Sequence, residues 1–380
     1  MRKRTVLLGL GAVLLVVLVA TPILLMPGPV AGNARLPEAI DAAEQSATIA
    51  AMRPPKRERP VIAIMARNDG TEVSDFLSAY GVLKRADIAD VMVVAEKPET
   101  VQLYPVALGI EPDITIADFE VRYPEGADYV VVPAMDPGTD PVIAAWLADQ
   151  YARGAHIVSI CNGSRMMGTA GFLNGRRATG HWSIVAELRG KYPSMQFQPD
   201  RRYVTDNRVT TSTGITANIP VMVALVEAIG GRLVAERVAG ELGIDNWDAR
   251  HHSADFDLTL ERKKTFIRNT LSFWRHETLG IPIADGVDEV ALGFLLDAYG
   301  RTALATPLTI GAPDVLTRHG LVLHPEHSAS GARVDAMLPA PLSEAPATTL
   351  ERELPIISAR YDAQTADIVA LVMEYPWVTR

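Results

Sequence analysis

The chain has 380 residues, a formal net charge of −9 and 48% hydrophobic residues. This length exceeds that of a single hydrophobic core and predicts two globular units. The acidic balance, with no basic run beyond the N-terminus, argues against a nucleic-acid-binding face. The single cysteine, Cys161, excludes an intrachain disulfide and a CxxC motif for metal or redox chemistry.

Residues 1–32 have the pattern of a transmembrane anchor or signal segment. Basic residues 1–4 precede a charge-free apolar run over 5–26, which is long enough to cross a bilayer because a spanning helix needs about 20 residues. The positive-inside rule then places the globular part of a single-pass protein outside the cytoplasm, periplasmic or extracellular. The alternative is a protein secreted after cleavage near residues 30–32. Residues 33–59, rich in proline and charge, predict a tether.

From residue 60 the sequence alternates short apolar segments with helical ones. Strands are predicted at 61–65, 91–94, 129–133 and 155–160, and helices at 73–85 and 141–153. Such an order predicts an α/β fold with a doubly wound, mostly parallel sheet between helices. Ligands of these sheets bind at the carboxyl ends of the strands.

Cys161 lies at one of these carboxyl ends. Gly163 and Ser164 break the apolar run, and a helical segment follows. A cysteine at a strand-to-helix corner sits on a tight turn, and unpaired N–H groups at the start of the helix favour the thiolate. The pattern therefore predicts a nucleophile. The alternative is a buried cysteine that packs as a small hydrophobe.

Several motifs follow this corner in a fixed order. They are Cys-x-Gly-Ser at 161–164, Ala-Gly-x-Leu-x-Gly-Arg-Arg-Ala-Thr at 170–179, His-Trp at 181–182, Pro-Asp-Arg-Arg-Tyr-Val at 199–204 and Thr-Ser-x-Gly-Ile at 211–215. Their order resembles the ThiJ/PfpI family of the class I glutamine-amidotransferase-like superfamily over about residues 60–240. The motifs are most similar to those of isonitrile hydratases and of the amidase-like domains of AraC-type regulators. The resemblance implies a flavodoxin-like fold and leaves the reaction open.

The resemblance also implies three catalytic positions: Cys161 as the nucleophile, His181 twenty residues later, and Asp75 near the start of the first helix. An acid near the sulfur can accept a hydrogen bond from the thiol or move a substrate proton. The imidazole can activate the thiol. Glu72 is the alternative acid, and Asp75 would then only complement the helix dipole. Neither a cofactor nor a metal is expected.

Backbone N–H groups at Asn162 and Gly163 and in the loop from Met135 to Gly138 are candidates for an oxyanion pocket. Arg165 can bind an anionic substrate or remain a solvated helix charge. Two features depart from the family pattern. Asn162 stands where many relatives have Thr or His and cannot act as a base, and the Met135 loop lacks a Gly-Gly pair. A late His-x-Glu pair is also missing, which disfavours glutamine hydrolysis.

The C-terminal part echoes the first unit. Asp285-Gly286, Tyr299-Gly300 and Leu338-Pro-Ala340 repeat Asp69-Gly70, Tyr80-Gly81 and Val132-Pro-Ala134 in order. No counterpart of the segment that carries Cys161 and His181 follows. The pattern predicts a ThiJ/PfpI-like domain at 60–243, a charged linker helix at 244–280 and a degenerate second ThiJ/PfpI-like unit at 281–380. We expect the second unit to pack on the first as an internal pseudo-partner, and a dimer is the alternative.

Together these features predict an exported, membrane-tethered protein that uses Cys161 to hydrolyse or hydrate a small C–N or carbonyl compound. The alternative is a non-catalytic ligand or redox sensor with the same pocket. The expected partners are a small-molecule substrate or ligand and the membrane. Nucleic acid is not expected, because the C-terminus has no helix-turn-helix pair and an exported domain cannot reach DNA.

Overall fold

The computed structural model describes residues 37–54, 56–328, 331 and 333–377. The predicted anchor or signal segment at 1–32 and the first residues of the tether lie outside these described residues. Within them, no helix has the length and apolar character needed to span a bilayer.

The bounds of the regular elements are as follows. The helices are α1 (Ala42–Ala51), α2 (Val73–Ala86), α3 (Ile116–Arg122), α4 (Pro141–Ala152), α5 (Ser164–Thr169), α6 (Val185–Lys191), α7 (Asn218–Gly230), α8 (Arg232–Leu242), α9 (Leu260–Leu271), α10 (Glu289–Gly300), α11 (Thr349–Arg360) and α12 (Ala363–Val372). The strands are β1 (Val61–Ala66), β2 (Thr71–Glu72), β3 (Asp90–Ala95), β4 (Val101–Tyr104), β5 (Leu108–Ile110), β6 (Ile114–Thr115), β7 (Tyr129–Val132), β8 (His156–Ser159), β9 (Arg177–Ala178), β10 (Gln196–Phe197), β11 (Tyr203–Asp206), β12 (Val209–Ser212), β13 (Glu277–Pro282), β14 (Ala305–Gly311), β15 (Val315–Leu316), β16 (Val322–Pro325), β17 (His327–Ser328) and β18 (Ala336–Met337).

The first unit contains a seven-stranded sheet in the order β11-β12-β8-β7-β1-β3-β6. All neighbours are parallel except β11 and β12. Every residue of β1, β7 and β8 is buried, because helices cover both faces of the sheet. The predicted flavodoxin-like, mostly parallel α/β fold is confirmed, and β8 places Cys161 at the carboxyl edge.

Helix α2 lies at the centre of the molecule. Glu72 caps its N-terminus, with Oε2 accepting a hydrogen bond of 2.7 Å from the Asp75 N–H. The opposite side of α2 packs against α10 of the second unit. At the crossing, a Cβ on Gly81 would lie 3.0 Å from Val290, and one on Gly293 would lie 3.2 Å from Leu77. The two glycines therefore let the helices approach closely.

The second unit repeats the strand order of part of the first. Its sheet runs β17-β14-β13-β18, all parallel, as β6-β3-β1-β7 does in the first unit. The hairpin β15-β16 takes the place of β4-β5, and β16 pairs antiparallel with β5 across the two units. No described strand follows β18, so the second sheet has no counterpart of the cysteine-bearing β8.

The two units share one hydrophobic core. Residues of α2 and α7, such as Phe76 and Val223, belong to the same buried cluster as Leu292 and Leu296 of α10. A separate core covers the other face of the first sheet, beneath α3, α4 and α6. The second unit therefore covers apolar surface that the first unit would otherwise leave exposed to water.

The predicted linker helix over 244–280 is much shorter in the structure. Only α9 is α-helical there, and β13 already begins at Glu277. Before α9, Asn246 Oδ1 accepts from the Asp248 N–H at 2.9 Å, and Asp248 Oδ1 accepts from the Arg250 N–H at 3.0 Å. Asn and Asp side chains compete in this way with helical hydrogen bonds. The prediction from charge pattern alone overlooked these local turns.

Candidate active site

Cys161 occupies the strained corner that the sequence predicts. It begins a 3-10 turn, Cys161–Gly163, between β8 and α5, and its φ of 53° is left-handed. Such a backbone costs about 1–3 kcal/mol for a residue with a side chain and is common at functional sites. The turn presses Gly163 against the preceding strand, where a Cβ would lie 2.4 Å from the Val132 carbonyl oxygen. Only glycine fits the second position after the cysteine.

The sulfur is held as a neutral thiol, contrary to the expected thiolate. Cys161 is only 4% exposed. Burial raises the pKa of the thiol well above its usual value, and the carboxylates of Asp75 and Glu72 raise it further. The Asn162 N–H donates to the sulfur and lowers the pKa, but this effect is smaller. The prediction considered the local helix start and missed acids that other elements bring close.

Cys161 opens into a cavity of about 80 Å³. The cavity is lined by Glu72, Tyr104, Ala134, Cys161, Asn162, His181, Ile215, Arg301 and Val372. The structure thus brings Cys161, His181 and Glu72 together, although they are far apart in the sequence. Tyr104, Arg301 and Val372 were not anticipated.

Glu72 forms the acidic wall of this cavity. Its side chain is buried, with Oε1 accepting a hydrogen bond of 2.9 Å from Arg301 Nη2. Burial raises the pKa of Glu72 well above its usual value, and the charges of Asp297 and Asp75 add to the effect while Arg301 opposes it. Glu72 therefore tends to hold a proton next to the thiol.

Asp75 is the second buried acid. It does not line the cavity, but it lies close enough to Cys161 for its charge to raise the thiol pKa. Oδ2 accepts from the Ala134 N–H at 3.1 Å, and Oδ1 has no hydrogen-bond partner among the described residues. Burial raises the pKa of Asp75 to about 7, so both protonation states are accessible near neutral pH.

His181 lines the cavity with both ring nitrogens engaged. Nε2 lies 2.8 Å from the Val372 carbonyl oxygen and Nδ1 lies 2.7 Å from Ser183 Oγ. A carbonyl can only accept, so Nε2 carries the proton and Nδ1 accepts from the hydroxyl. Burial lowers the pKa of His181, which favours the neutral ring. In this arrangement neither nitrogen is available to take the proton of the thiol.

The second unit contributes directly to the cavity. Arg301, just after α10, donates from Nε to Asp297 at 2.7 Å as well as to Glu72. Burial alone would lower the pKa of Arg301, but the two carboxylates raise it above its ordinary value. At the C-terminus, Glu374 accepts from the Trp182 N–H at 2.6 Å and from the Gly214 N–H. Residues more than 110 positions away thus hold the loops around Cys161.

The predicted oxyanion pocket is only partly present. Asn162 lines the cavity, whereas Met135, Gly138, Gly163 and Arg165 do not. Met135 is buried and forms an antiparallel bridge with β2. A Cβ on Gly138 would lie 2.9 Å from Arg165 Cδ, and Arg165 pairs with a glutamate of α6 at 2.7 Å. The charge of Arg165 is therefore engaged outside the cavity.

One sequence signal for Arg301 was available. Strand β13 follows β1 at an offset of 216 residues, and the Asp-Gly landmarks at 69–70 and 285–286 have the same offset. Applied to α2, this offset makes Arg301 the counterpart of Arg85. For Tyr104, no pattern in the sequence indicates that β4 faces the thiol.

Comparisons with known proteins agree with this fold and corner. The DJ-1/PfpI family matches residues 61–228. An isonitrile hydratase of Pseudomonas putida is 30% identical over 175 residues, which cover 44% of this chain and 72% of that protein. The HTH-type transcriptional regulator CdhR of Pseudomonas aeruginosa is 30% identical over 111 residues, 29% of this chain and 33% of the regulator. Drosophila melanogaster DJ-1beta, a solved structure, has a TM-score of 0.44 and 22% identity, and covers 50% of this chain and 100% of its own.

The match to the family begins at β1 and ends within α7. It includes the whole of the corner, the His-Trp loop and the acids that precede α2. The second unit lies beyond the matched residues. On these grounds the chain belongs to the DJ-1/PfpI family.

Proposed function

We propose that this protein is an exported, membrane-tethered enzyme that uses Cys161 to hydrate or hydrolyse a small, uncharged C–N or carbonyl compound. The observation that carries the proposal is the left-handed Cys161 corner beside Asp75, whose Oδ1 has no partner among the described residues and whose pKa is about 7. A nucleophile and a proton-transfer group of suitable pKa are what addition of water requires. The isonitrile hydratase relative supports this reaction class.

In the proposed reaction the thiol adds to the electrophilic carbon of a C–N multiple bond. The new bond is S–C, and the thiol proton leaves to Asp75, which returns it to the substrate. Water then adds to the same carbon, the S–C bond breaks, and the sulfur regains a proton. The net change is the addition of one water molecule. Proton transfer by a side chain of this kind contributes about 10²–10⁴-fold to the rate.

The cavity favours a small and neutral substrate. Its volume is about 80 Å³, and its one cation, Arg301, already pairs with Glu72 and Asp297. An anionic substrate would meet the acids Glu72 and Asp75 without a free counter-charge. A neutral isonitrile, nitrile or aldehyde avoids this penalty.

A ligand sensor is the second candidate. It is favoured by the hydrogen bonds that occupy both nitrogens of His181, since no base is then available for the thiol. The raised pKa of Cys161 argues against the redox version of this sensor, because sulfenic acid forms from the thiolate. A sensor of this kind would bind a small molecule and pass the signal through the second unit.

The test is turnover of a panel of small isonitriles, nitriles and aldehydes by the full chain and by Cys161→Ala. We expect one class to be converted and the alanine variant to lose conversion while its melting temperature stays within a few degrees. Mass spectrometry of a slow substrate should show an adduct on Cys161. Conversion by Cys161→Ala would overturn the proposal, and saturable binding without conversion by either protein would favour the sensor.

The anchor is tested separately by alkaline extraction of membranes from the native host. We expect the full chain to stay in the membrane pellet and to be digested by protease added outside intact cells or spheroplasts. A mature N-terminus near residue 31 and release into the soluble fraction would instead establish signal cleavage.

A further inference from the structure

Helix α9 has its polar side facing the protein and its apolar side facing outward. Arg262 is buried and pairs with Asp367 of α12 at 2.9 Å, and Arg268 is buried and pairs with Asp362 at 2.9 Å. Exposed on the other side and just beyond the helix are Leu260, Phe266, Ile267, Leu271, Phe273 and Trp274. We call these six residues the outer apolar face. A surface helix of a soluble protein normally has the reverse arrangement.

The outer apolar face is one surface rather than a set of scattered residues. Leu260, Ile267 and Leu271 recur at helical spacing along one side of α9, with Phe266 beside them. Phe273 and Trp274 follow at its end, 76% and 62% exposed, with their rings 5.2 Å apart. Large contiguous apolar surfaces of this kind mark sites of interaction with a protein or a membrane.

The charges around the face indicate which partner it meets. Lys263 and Lys264 lie on α9, and Arg275 follows Trp274. Cations beside apolar and aromatic side chains are typical of helices that lie in the interface of an anionic bilayer. Tryptophan is also enriched at the level of the lipid headgroups.

The path of the chain places the same face near the N-terminal segment. Pro37, the first described residue, and Phe256 line one cavity of about 210 Å³. Helix α9 begins at Leu260, four residues after Phe256. Residues 1–36, with their charge-free apolar run at 5–26, therefore join the described part beside the N-terminal end of α9.

We propose that the outer apolar face lies flat on an anionic lipid bilayer, so that the protein contacts the membrane through α9 as well as through its N-terminal segment. This inference rests on the proposed anchor but not on the proposed reaction. It also gives the bilayer a route to the catalytic cavity. Helix α12, which pairs with α9 through Asp367, ends at Val372, the residue that binds His181.

The experiment places a fluorophore on α9 of the full chain. Thr270 is exposed beside the face, and Thr270→Cys in a Cys161→Ala background gives one site for an environment-sensitive label. In vesicles of phosphatidylcholine and phosphatidylglycerol we expect a blue shift and quenching by brominated lipid tails. The control label goes at Val121, which is 83% exposed on α3, at the opposite edge of the first sheet from β11. Its emission should be unchanged.

A triple variant, Phe266→Ser, Phe273→Ser and Trp274→Ser, tests the cause. Its vesicles should still float with bound protein, because the anchor is intact, but the label at 270 should lose its quenching. Flotation of the parent chain without quenching at 270 would overturn the docking and leave the anchor in place, whereas failure to float would overturn both. A blue shift without lipid quenching, or energy transfer between copies that persists on dilution with lipid, would mean that protein covers the face and would also overturn it.

Discussion

Arg301 in the second unit donates a hydrogen bond of 2.9 Å to Glu72, the residue that caps the central helix of the first. The same relationship occurs once more with the units exchanged, because Arg85 of α2 pairs with Asp288, which caps α10. Arg85 follows Glu72 by 13 residues, and Arg301 follows Asp288 by 13 residues. The units are thus packed about a pseudo-two-fold axis, and only one of the two equivalent pairs borders a cysteine.

The first prediction concerns this asymmetry. Arg301→Met leaves Glu72 buried without its cation, so the pKa of Glu72 should rise further and the cavity should lose its shape. We expect a loss of about 1.5–3 kcal/mol in the free energy of unfolding, as for other hydrogen bonds to charged groups, together with a loss of turnover. Arg85→Met is the matched control, and it should lose similar stability but keep kcat/KM once folded. Equal activity in the two variants would remove Arg301 from the site.

The second prediction uses the raised pKa of Asp75. Its value of about 7 in the folded protein exceeds the ordinary 3.8, so the folded state binds a proton that the unfolded state has released between about pH 4 and 7. Stability contributed by this group is therefore present at low pH and is lost as pH rises through 7. Asp75→Asn keeps an acceptor for the Ala134 N–H but cannot titrate.

We expect urea unfolding of the Asn variant to show a flatter dependence of stability on pH over this range than the parent chain. If Asp75 also moves the reacting proton, kcat/KM should fall and lose the inflection near pH 7. Parallel pH profiles of the parent and the variant, in stability and in activity, would contradict both assignments.

The third prediction tests the corner. Gly163→Ala would place a methyl group 2.4 Å from the Val132 carbonyl oxygen, an overlap that only a backbone shift can relieve. We expect destabilisation of about 1–3 kcal/mol, as for other overpacked sites, and displacement of Cys161. Gly190→Ala is the control, because nothing lies within 4 Å of its added Cβ and its helical position favours alanine by about 0.5–1 kcal/mol. Thermal unfolding of both variants decides the point.

Sequence reasoning succeeded where neighbouring residues determine the structure. The apolar runs of β1, β7 and β8 and the Gly163 that follows Cys161 act over a few positions, and the parallel sheet and the tight corner follow from them. The protonation state of Cys161 could not be obtained in this way. It depends on burial and on Asp75 and Glu72, which reach the sulfur only after the chain has folded.

The cavity wall was missed for the same reason. Arg301 and Val372 are 140 and 211 residues beyond Cys161, and their place depends on how α10 and α12 pack. The echo of the first unit indicated that a second sheet was present. It could not indicate that its arginine would turn toward the cysteine, because a repeat pattern carries no information on packing between the units.

The fourth prediction concerns the C-terminal contact made by Glu374. This carboxylate accepts from the N–H groups of Trp182 and Gly214, and both are buried by the contact or held next to the cavity. Glu374→Ala removes both acceptors, and each buried N–H left unpaired costs about 1–3 kcal/mol. The Trp182 loop should then move, and with it the hydrogen bond of His181 to Val372. We expect lower thermal stability and a change in the titration of the His181 ring by NMR, whereas Glu351→Ala, at an exposed position on α11, should change neither. An unchanged His181 resonance in a destabilised Glu374→Ala protein would show that the C-terminal segment stabilises the fold without positioning the histidine.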